Sequence, residues 1–169
     1  MIDIERFTKT DEDDIIALVL HFQNDGSRPI VTVKDQPDLL DIEKEYFQTG
    51  GYFWVAKDKN KIVGSIGLMP YNDGTAILKK FFVYEAYQGK PCHVGRKLYS
   101  TLLTYAKEKK FKTILLDTPC NTHRAHDFYN KAGFSKILED ELPIKFSHPY
   151  KDCDFFILIL KELLAHEYK

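Results

Sequence analysis

Cysteine is scarce in this sequence: Cys92, Cys120 and Cys153 are the only three in 169 residues, an odd number without framework spacing. A disulfide scaffold is therefore excluded as what holds the chain together, and reduced thiols in a cytoplasmic compartment are the expectation. Long apolar runs are missing too. The longest, Phe155 to Leu160, falls far short of the roughly 20 residues that span a bilayer. The first residues also lack the basic flank and apolar stretch of a secretory signal, so no membrane partner is expected. Neither charge sign dominates, because 24 Lys and Arg face 25 Asp and Glu for a net charge of -1. That removes any general attraction to nucleic acid. Repeats, low-complexity tracts and linkers are absent, and a single domain over residues 1–169 is expected.

What the chain has in quantity is core-forming material, with 44% hydrophobic and 14% aromatic residues. Its clearest patterning runs from Phe81 to Phe134. Val94, Leu98, Leu102 and Ala106 recur at four-residue spacing, with Tyr99 and Leu103 widening the stripe, which predicts a core-facing helix. Before it, Gln88 to Gly95 leaves the amides of a helix start without intrahelical partners, a place suited to an anion, with Lys90, Arg96 and Lys97 close by. Thr113 to Leu116 reads as a strand buried on both faces and ended by Asp117, Thr118 and Pro119. Ala125, Phe128, Tyr129 and Ala132 then share one face of a second helix, which Gly133 can close in the left-handed region.

Outside this unit, Ile2 to Phe7 predicts a first strand, followed by a helix that buries Ile15, Leu18, Val19 and Phe22. A more polar helix is expected from Pro37 to Gln48. Three antiparallel strands follow over Tyr52 to Ala56, Ile62 to Pro70 and Ala76 to Tyr84, with hairpin turns at Lys57–Lys61 and Tyr71–Gly74. Ser135 to Glu141 and Asp154 to Leu160 suggest two last strands, joined by a loop holding Pro143, His148 and Pro149, with Glu162 to Tyr168 as a short helix or tail.

At these residues the chain resembles the GNAT superfamily of N-acetyltransferases. The family's first motif, Q/RxxGxG/A leading into a helix, is met by Lys90-Pro91-Cys92-His93-Val94-Gly95 with Leu98 after it; Lys stands for Gln/Arg and His93 for the first glycine. Counted from Val83, Gln88-Gly89-Lys90 takes the usual place instead, and Pro91-Cys92 reads as a two-residue insertion. The second motif, A-x-x-x-Y-x-x-x-G-F, is met by Ala125, Tyr129, Gly133 and Phe134. The family's frequent Asn before that Ala is Thr122 here, with Asn121 one residue earlier. The expected fold is α/β (α+β), a GNAT-like mixed, mostly antiparallel sheet of about seven strands flanked by about four helices.

The resemblance implies acetyl-CoA as cosubstrate and direct acetyl transfer to a primary amine of a small molecule or peptide. It implies that the backbone of Phe81, Phe82 and Val83 pairs with the pantetheine arm, an N–H near Val83 serving as oxyanion donor. The pyrophosphate would rest on Gln88, Gly89, Lys90, His93, Val94, Gly95 and Arg96, with Asn121 nearby. Tyr129 matches the family's general acid. No metal is implied.

An acceptor amine near pKa 10.4 loses its proton at pH 7 at a cost of about 4–5 kcal/mol, so a base is expected. Glu45, Asp117, His123, His148 and Glu85 are the candidates, and the residues do not choose among them. Acids crowd Asp11–Asp14 and Asp35–Glu45, which suits a cationic acceptor or, equally, solvated helix faces.

Other chemistries fare worse. Cys120, His123 and His126 are spaced three apart and turn away from one another on a helix, against a zinc site. Cys92 at a helix start could act as the nucleophile of a hydrolase, but no partner constellation accompanies it. A non-catalytic CoA-binding sensor remains the alternative of another class. The apolar Phe155–Leu160 strand could be internal or could pair across a homodimer.

Overall fold

Alternation along one strand sorts the chain into two layers. In β2 (Tyr52–Asp58), Phe53 and Val55 pack with one hydrophobic cluster and Trp54 and Ala56 with another, so both faces of the strand are covered. The first cluster joins β2 to Phe7 and to Ile15, Leu18 and Val19 of α1 (Glu12–Gln23). The second joins it to α2 (Val94–Glu108), whose Val94, Leu98, Leu102 and Ala106 are all fully buried. This computed structural model describes residues 1–72, 74–145 and 152–160.

Between the layers lies a seven-stranded sheet in the order β1-β2-β3-β4-β5-β7-β6, where β1 is Ile2–Arg6, β3 Lys61–Asn72, β4 Thr75–Val83, β5 Thr113–Pro119, β6 Ser135–Ile137 and β7 Cys153–Ile159. Every pairing is antiparallel except β4 with β5. The helix α2 makes the crossover that a parallel pair needs. The helix α3 (His123–Lys131) follows β5 and ends at Gly133, whose φ of 96° is the left-handed conformation expected for it. The mixed, mostly antiparallel sheet flanked by helices is thus as expected.

Two segments differ from expectation. Pro37–Gln48 is not one helix but a 3-10 turn at Pro37–Leu40 and a π turn at Glu43–Phe47. The break falls at Asp41, which turns out of helical geometry with φ −152° and accepts a hydrogen bond on its own carboxylate from the Lys44 amide. The strand expected to Glu141 stops at Ile137, and Glu139–Glu141 curls into a 3-10 turn that leaves Leu138 exposed. His148, Pro149 and the segment Glu162–Tyr168 lie outside the described residues.

Candidate active site

The parallel pair does not stay together. β4 and β5 are in register only at Thr75–Thr113, Ala76–Ile114 and Ile77–Leu115; beyond Ile77 the two strands diverge while β5 continues on β7 as far as Pro119. A cavity of about 740 Å³ opens in this gap.

One wall is the far half of β4. Ser65 faces Phe82 but Gly67 faces Lys79, so β4 carries one residue more than β3 between these rungs, a β-bulge. The bulge exchanges the strand's faces: Ala76 and Leu78 precede it on the α2 side, and Phe81 and Val83 regain that side after it, while Phe82 and Tyr84 pack with the α1 cluster. Tyr84 N–H donates to Val63 O over 2.9 Å, which makes that rung hydrogen-bonded. On the neighbouring Gly64–Val83 rung the amide must then turn away from β3, toward the edge that β5 has left. The Val83 carbonyl on this edge accepts Gln88 Nε2 over 2.8 Å, tying the next loop to the strand.

That loop, Gln88 to His93, supplies the second wall. Gly89 and His93 take positive φ of 63° and 50°, and His93 N–H closes on Gly89 O over 2.7 Å, so the chain doubles back just before α2. Gln88, Gly89, Lys90, His93, Gly95 and Arg96 all line the cavity. A Cβ at Gly89 would meet Arg124 Nη2 at 3.3 Å, which puts an α3 guanidinium over the loop. The first amides of α2 and three cationic side chains, Lys90, Arg96 and Arg124, therefore converge on one end of the cavity.

The third wall is β5 and α3, with Asp117, Thr118, Thr122, Phe128 and Tyr129. Tyr129 is 6% exposed, packed against Phe134 and Phe156 at ring-centroid distances of 5.6 and 5.7 Å. Burial first, then the charge of Asp117, holds its hydroxyl well above the ordinary tyrosine pKa. Asp117 Oδ2 lies 4.0 Å from Cys153 Sγ.

Of the residues singled out in the sequence, Phe81, Phe82, Val83, Gln88, Gly89, Lys90, His93, Gly95, Arg96, Asp117 and Tyr129 line this one cavity. Val94 is fully buried in the core and offers only its amide. Asn121 is exposed beyond the lining, and its Oδ1 accepts Arg28 Nη1 over 3.3 Å. Glu45 stands apart on the π turn, and His123 is exposed at the start of α3. The Glu85 carboxylate meets His21 Nε2 at 3.0 Å beside a separate cavity of about 480 Å³. His126 Nε2 lies 3.2 Å from Pro119 O and 3.7 Å from Asp154 Oδ2, and no metal-binding cluster of His, Cys, Asp or Glu occurs among the described residues. Nor do the acids of the first 50 residues reach the cleft as a group: Asp11 holds Lys57, Asp35 caps Thr32, and Glu43 pairs with Arg6.

Lys80 is not among the residues singled out in the sequence. It is the residue that opens the bulge, left-handed at φ 56°, with its carbonyl accepting Ser65 Oγ over 2.7 Å. Its side chain is 6% exposed, and Nζ lies 3.6 Å from Asp38 Oδ2, an oxygen that Tyr46 OH already reaches at 2.7 Å. The available signal was a charged pair, Lys79-Lys80, interrupting an otherwise apolar strand. Arg28 and Arg124 also line the cleft without such notice, and Phe22, expected only on a buried helix face, borders it from the end of α1, stacked on Phe82 at 5.6 Å.

Residues 14–134 match the model of the family described as "Acetyltransferase (GNAT) family". The probable N-acetyltransferase camello of Xenopus tropicalis is 32% identical over 63% of this chain and 49% of its own. The chain thus spans about half the length of the curated relatives it matches. An acetyltransferase from Streptococcus agalactiae superposes with a TM-score of 0.89 at 34% identity, covering 94% of this chain and 98% of that one. A putative acetyltransferase from Salmonella typhimurium, solved with its cofactor acetyl-CoA, shares the fold with a TM-score of 0.71 at 18% identity, over 95% of this chain and 94% of its own.

Proposed function

Since the chain belongs to the acetyltransferase (GNAT) family, we propose that it is an acetyl-CoA-dependent N-acetyltransferase that moves the acetyl group directly to a primary amine. The observation that carries this is the joining of two features in one cleft: a β4 edge released from β5 with the Val83 amide turned into the gap, and an α2 N-terminus ringed by cations at its end.

The residues present fit acetyl-CoA. Its pyrophosphate suits the Gln88–His93 loop, where the α2 amides, Lys90 and Arg96 offset phosphate charge. The Gln88 side chain is engaged on Val83, so its contribution there is through the backbone. The exposed β4 edge from Phe81 to Val83 suits an extended amide-bearing arm, which it can take as an added strand. The Salmonella protein of the same fold carries this cofactor. Bound there, acetyl-CoA supplies an activated thioester.

The Val83 N–H then donates to the acetyl oxygen as charge grows on it, a type of contact worth about 3–4 kcal/mol. Asp117, the base candidate that lines the cleft, receives the acceptor's ammonium and takes its proton directly or through one water. Tyr129 donates to the departing sulfur. Its raised pKa keeps it protonated, but a proton passing from it to a thiolate of pKa about 8.5 moves uphill, so the hydroxyl acts chiefly as a hydrogen-bond donor.

The single domain over 1–169 and a cytoplasmic location belong to the same proposal, the latter on three cysteines that are all free. No helix among the described residues is long and apolar enough to cross a membrane.

Thermal unfolding with acetyl-CoA, and with ATP and NAD as controls, tests the proposal. Saturation a hundredfold above Kd should stabilise the protein by about 2.7 kcal/mol. A rise in Tm with acetyl-CoA alone is expected; no rise at millimolar acetyl-CoA would overturn it.

A further inference from the structure

Lys80 combines two costs in one residue. A lysine in the left-handed region is strained, and an ammonium taken out of water needs partners in compensation. Yet the partners are poor. Asp38, at 3.6 Å, is beyond hydrogen-bonding distance, and the oxygen it presents is already taken by Tyr46. Nothing else among the described residues hydrogen-bonds to Nζ, so its three N–H groups have no short acceptor. Burial lowers the lysine's pKa, the charge of Asp38 works against that, Lys79 adds to the lowering, and Asp117 opposes it, as expected for an ammonium whose nearest carboxylate stands in a long ion pair.

The position of this group matters. Lys80 lines the cleft one residue before the Phe81–Val83 edge, on the side of β4 that carries Phe82 and faces α1, opposite the α2 layer that borders the proposed pyrophosphate site. Asp117 lines the facing strand, and Phe22 and Phe82 border the same end with stacked rings. A cation, an anion and an aromatic surface thus line the same cleft, and among the described residues the acids of Asp11–Asp14 and Asp35–Glu45 do not line it.

We propose that Lys80 Nζ is the group that selects the acceptor, donating to an oxygen, carboxylate or carbonyl, that lies close to the reacting amine, so that the substrate is an oxygen-bearing amine rather than a simple alkylamine or a polyamine. The inference rests on the N-acetyltransferase reading. The amine is turned to Asp117 and the oxygen to Lys80, which fixes the nitrogen between the two strands, near the Val83 amide.

The test is calorimetric affinity of the CoA-loaded protein for phenylalanine, phenylalaninamide, 2-phenylethylamine and putrescine, repeated with Lys80→Met and with Lys80→Met/Asp38→Asn, which removes the carboxylate left bare. The first two amines should bind the unaltered protein at least about tenfold more tightly than 2-phenylethylamine, the range of a hydrogen bond to a charged group. Preference for phenylalanine alone identifies a carboxylate, and equal preference a carbonyl. Both variants should lose the preference while keeping the Tm rise with acetyl-CoA; comparing ratios between proteins cancels differences in amine basicity. Unchanged ratios in a folded variant overturn the proposal. So does an unaltered protein that binds 2-phenylethylamine or putrescine as well as the oxygen-bearing amines, or that binds none of the four. If neither variant folds, the order of affinities in the unaltered protein decides by the same criterion. Absence of an acetyl-CoA effect on the unaltered protein is a different failure, that of the transferase reading itself.

Discussion

Two tyrosines of one aromatic cluster are chemically alike and differ in what they face. Tyr129 and Tyr99 are both buried, and burial raises the pKa of each. Tyr129 borders the cleft, whereas the Tyr99 hydroxyl is enclosed with no hydrogen-bond partner among the described residues. Tyr129→Phe should therefore lower kcat about 10- to 100-fold, toward the low end for acid catalysis because a thiolate leaves readily, with little change in KM for acetyl-CoA. Tyr99→Phe should leave steady-state kinetics unaltered and stabilise the fold by up to about 1 kcal/mol, since a buried hydroxyl without a partner carries an uncompensated desolvation cost. Denaturant unfolding and initial-rate kinetics on the two variants check both. Equal kinetic effects would mean that Tyr129, like its neighbour, is only packing. Helical spacing alone could not separate the two residues, because it assigns a face but not which part of that face borders a gap; only the motif match at Ala125, Tyr129 and Gly133 set Tyr129 apart.

At the level of elements, α2 has a double task. Its C-terminal stripe is core, and its first turn borders the cleft, so substitutions at the two ends should separate stability from cofactor binding. Leu98, fully buried between α2 and the sheet, should cost about 2–5 kcal/mol when changed to Ala, read as a fall in Tm. Arg96→Ala, on the cleft, should leave Tm nearly unchanged and weaken acetyl-CoA about tenfold or more, with a shallower dependence of affinity on salt. The stripe was legible in the sequence because four-residue recurrence is a local property. So were the central strands and the left-handed stop at Gly133. The opening between β4 and β5 was not, since it depends on where a parallel pair stops and on a bulge that exchanges the faces of β4. The adjacent Lys79-Lys80 pair interrupts the apolar run of β4, but two adjacent charged residues do not by themselves tell a bulge from a strand end. The supposed helix at Pro37–Gln48 failed for a similarly local cause, an aspartate that caps the next turn instead of continuing the last.

Considered as a whole, the molecule confines much of its ionisable aromatic surface, and that predicts how its stability responds to alkali. Tyr46, Tyr99 and Tyr129 are each held above the usual 10.0, with burial the largest cause in every case. The folded state keeps these three protons at a pH where the unfolded chain has begun to release them, so it binds more protons than the unfolded chain and stability must fall as pH rises past about 10. Below that value both states are protonated and the contribution is present in full. Lys80 acts in the opposite sense: its folded pKa lies below 10.5, so the unfolded state binds the extra proton and stability gains with rising pH until that point. One lysine against three tyrosines leaves the tyrosines dominant, and above 10.5 the lysine no longer contributes to the slope. Denaturant unfolding as a function of pH should therefore show a decline beginning near pH 10. In Tyr99→Phe that decline should be shallower by about 1.4 kcal/mol per pH unit, the weight of one proton. Parallel declines in the two proteins would mean that the Tyr99 hydroxyl ionises in the folded state as it does in water. The enclosure of the aromatic layer between α2, α3 and the sheet would then be looser than its packing describes.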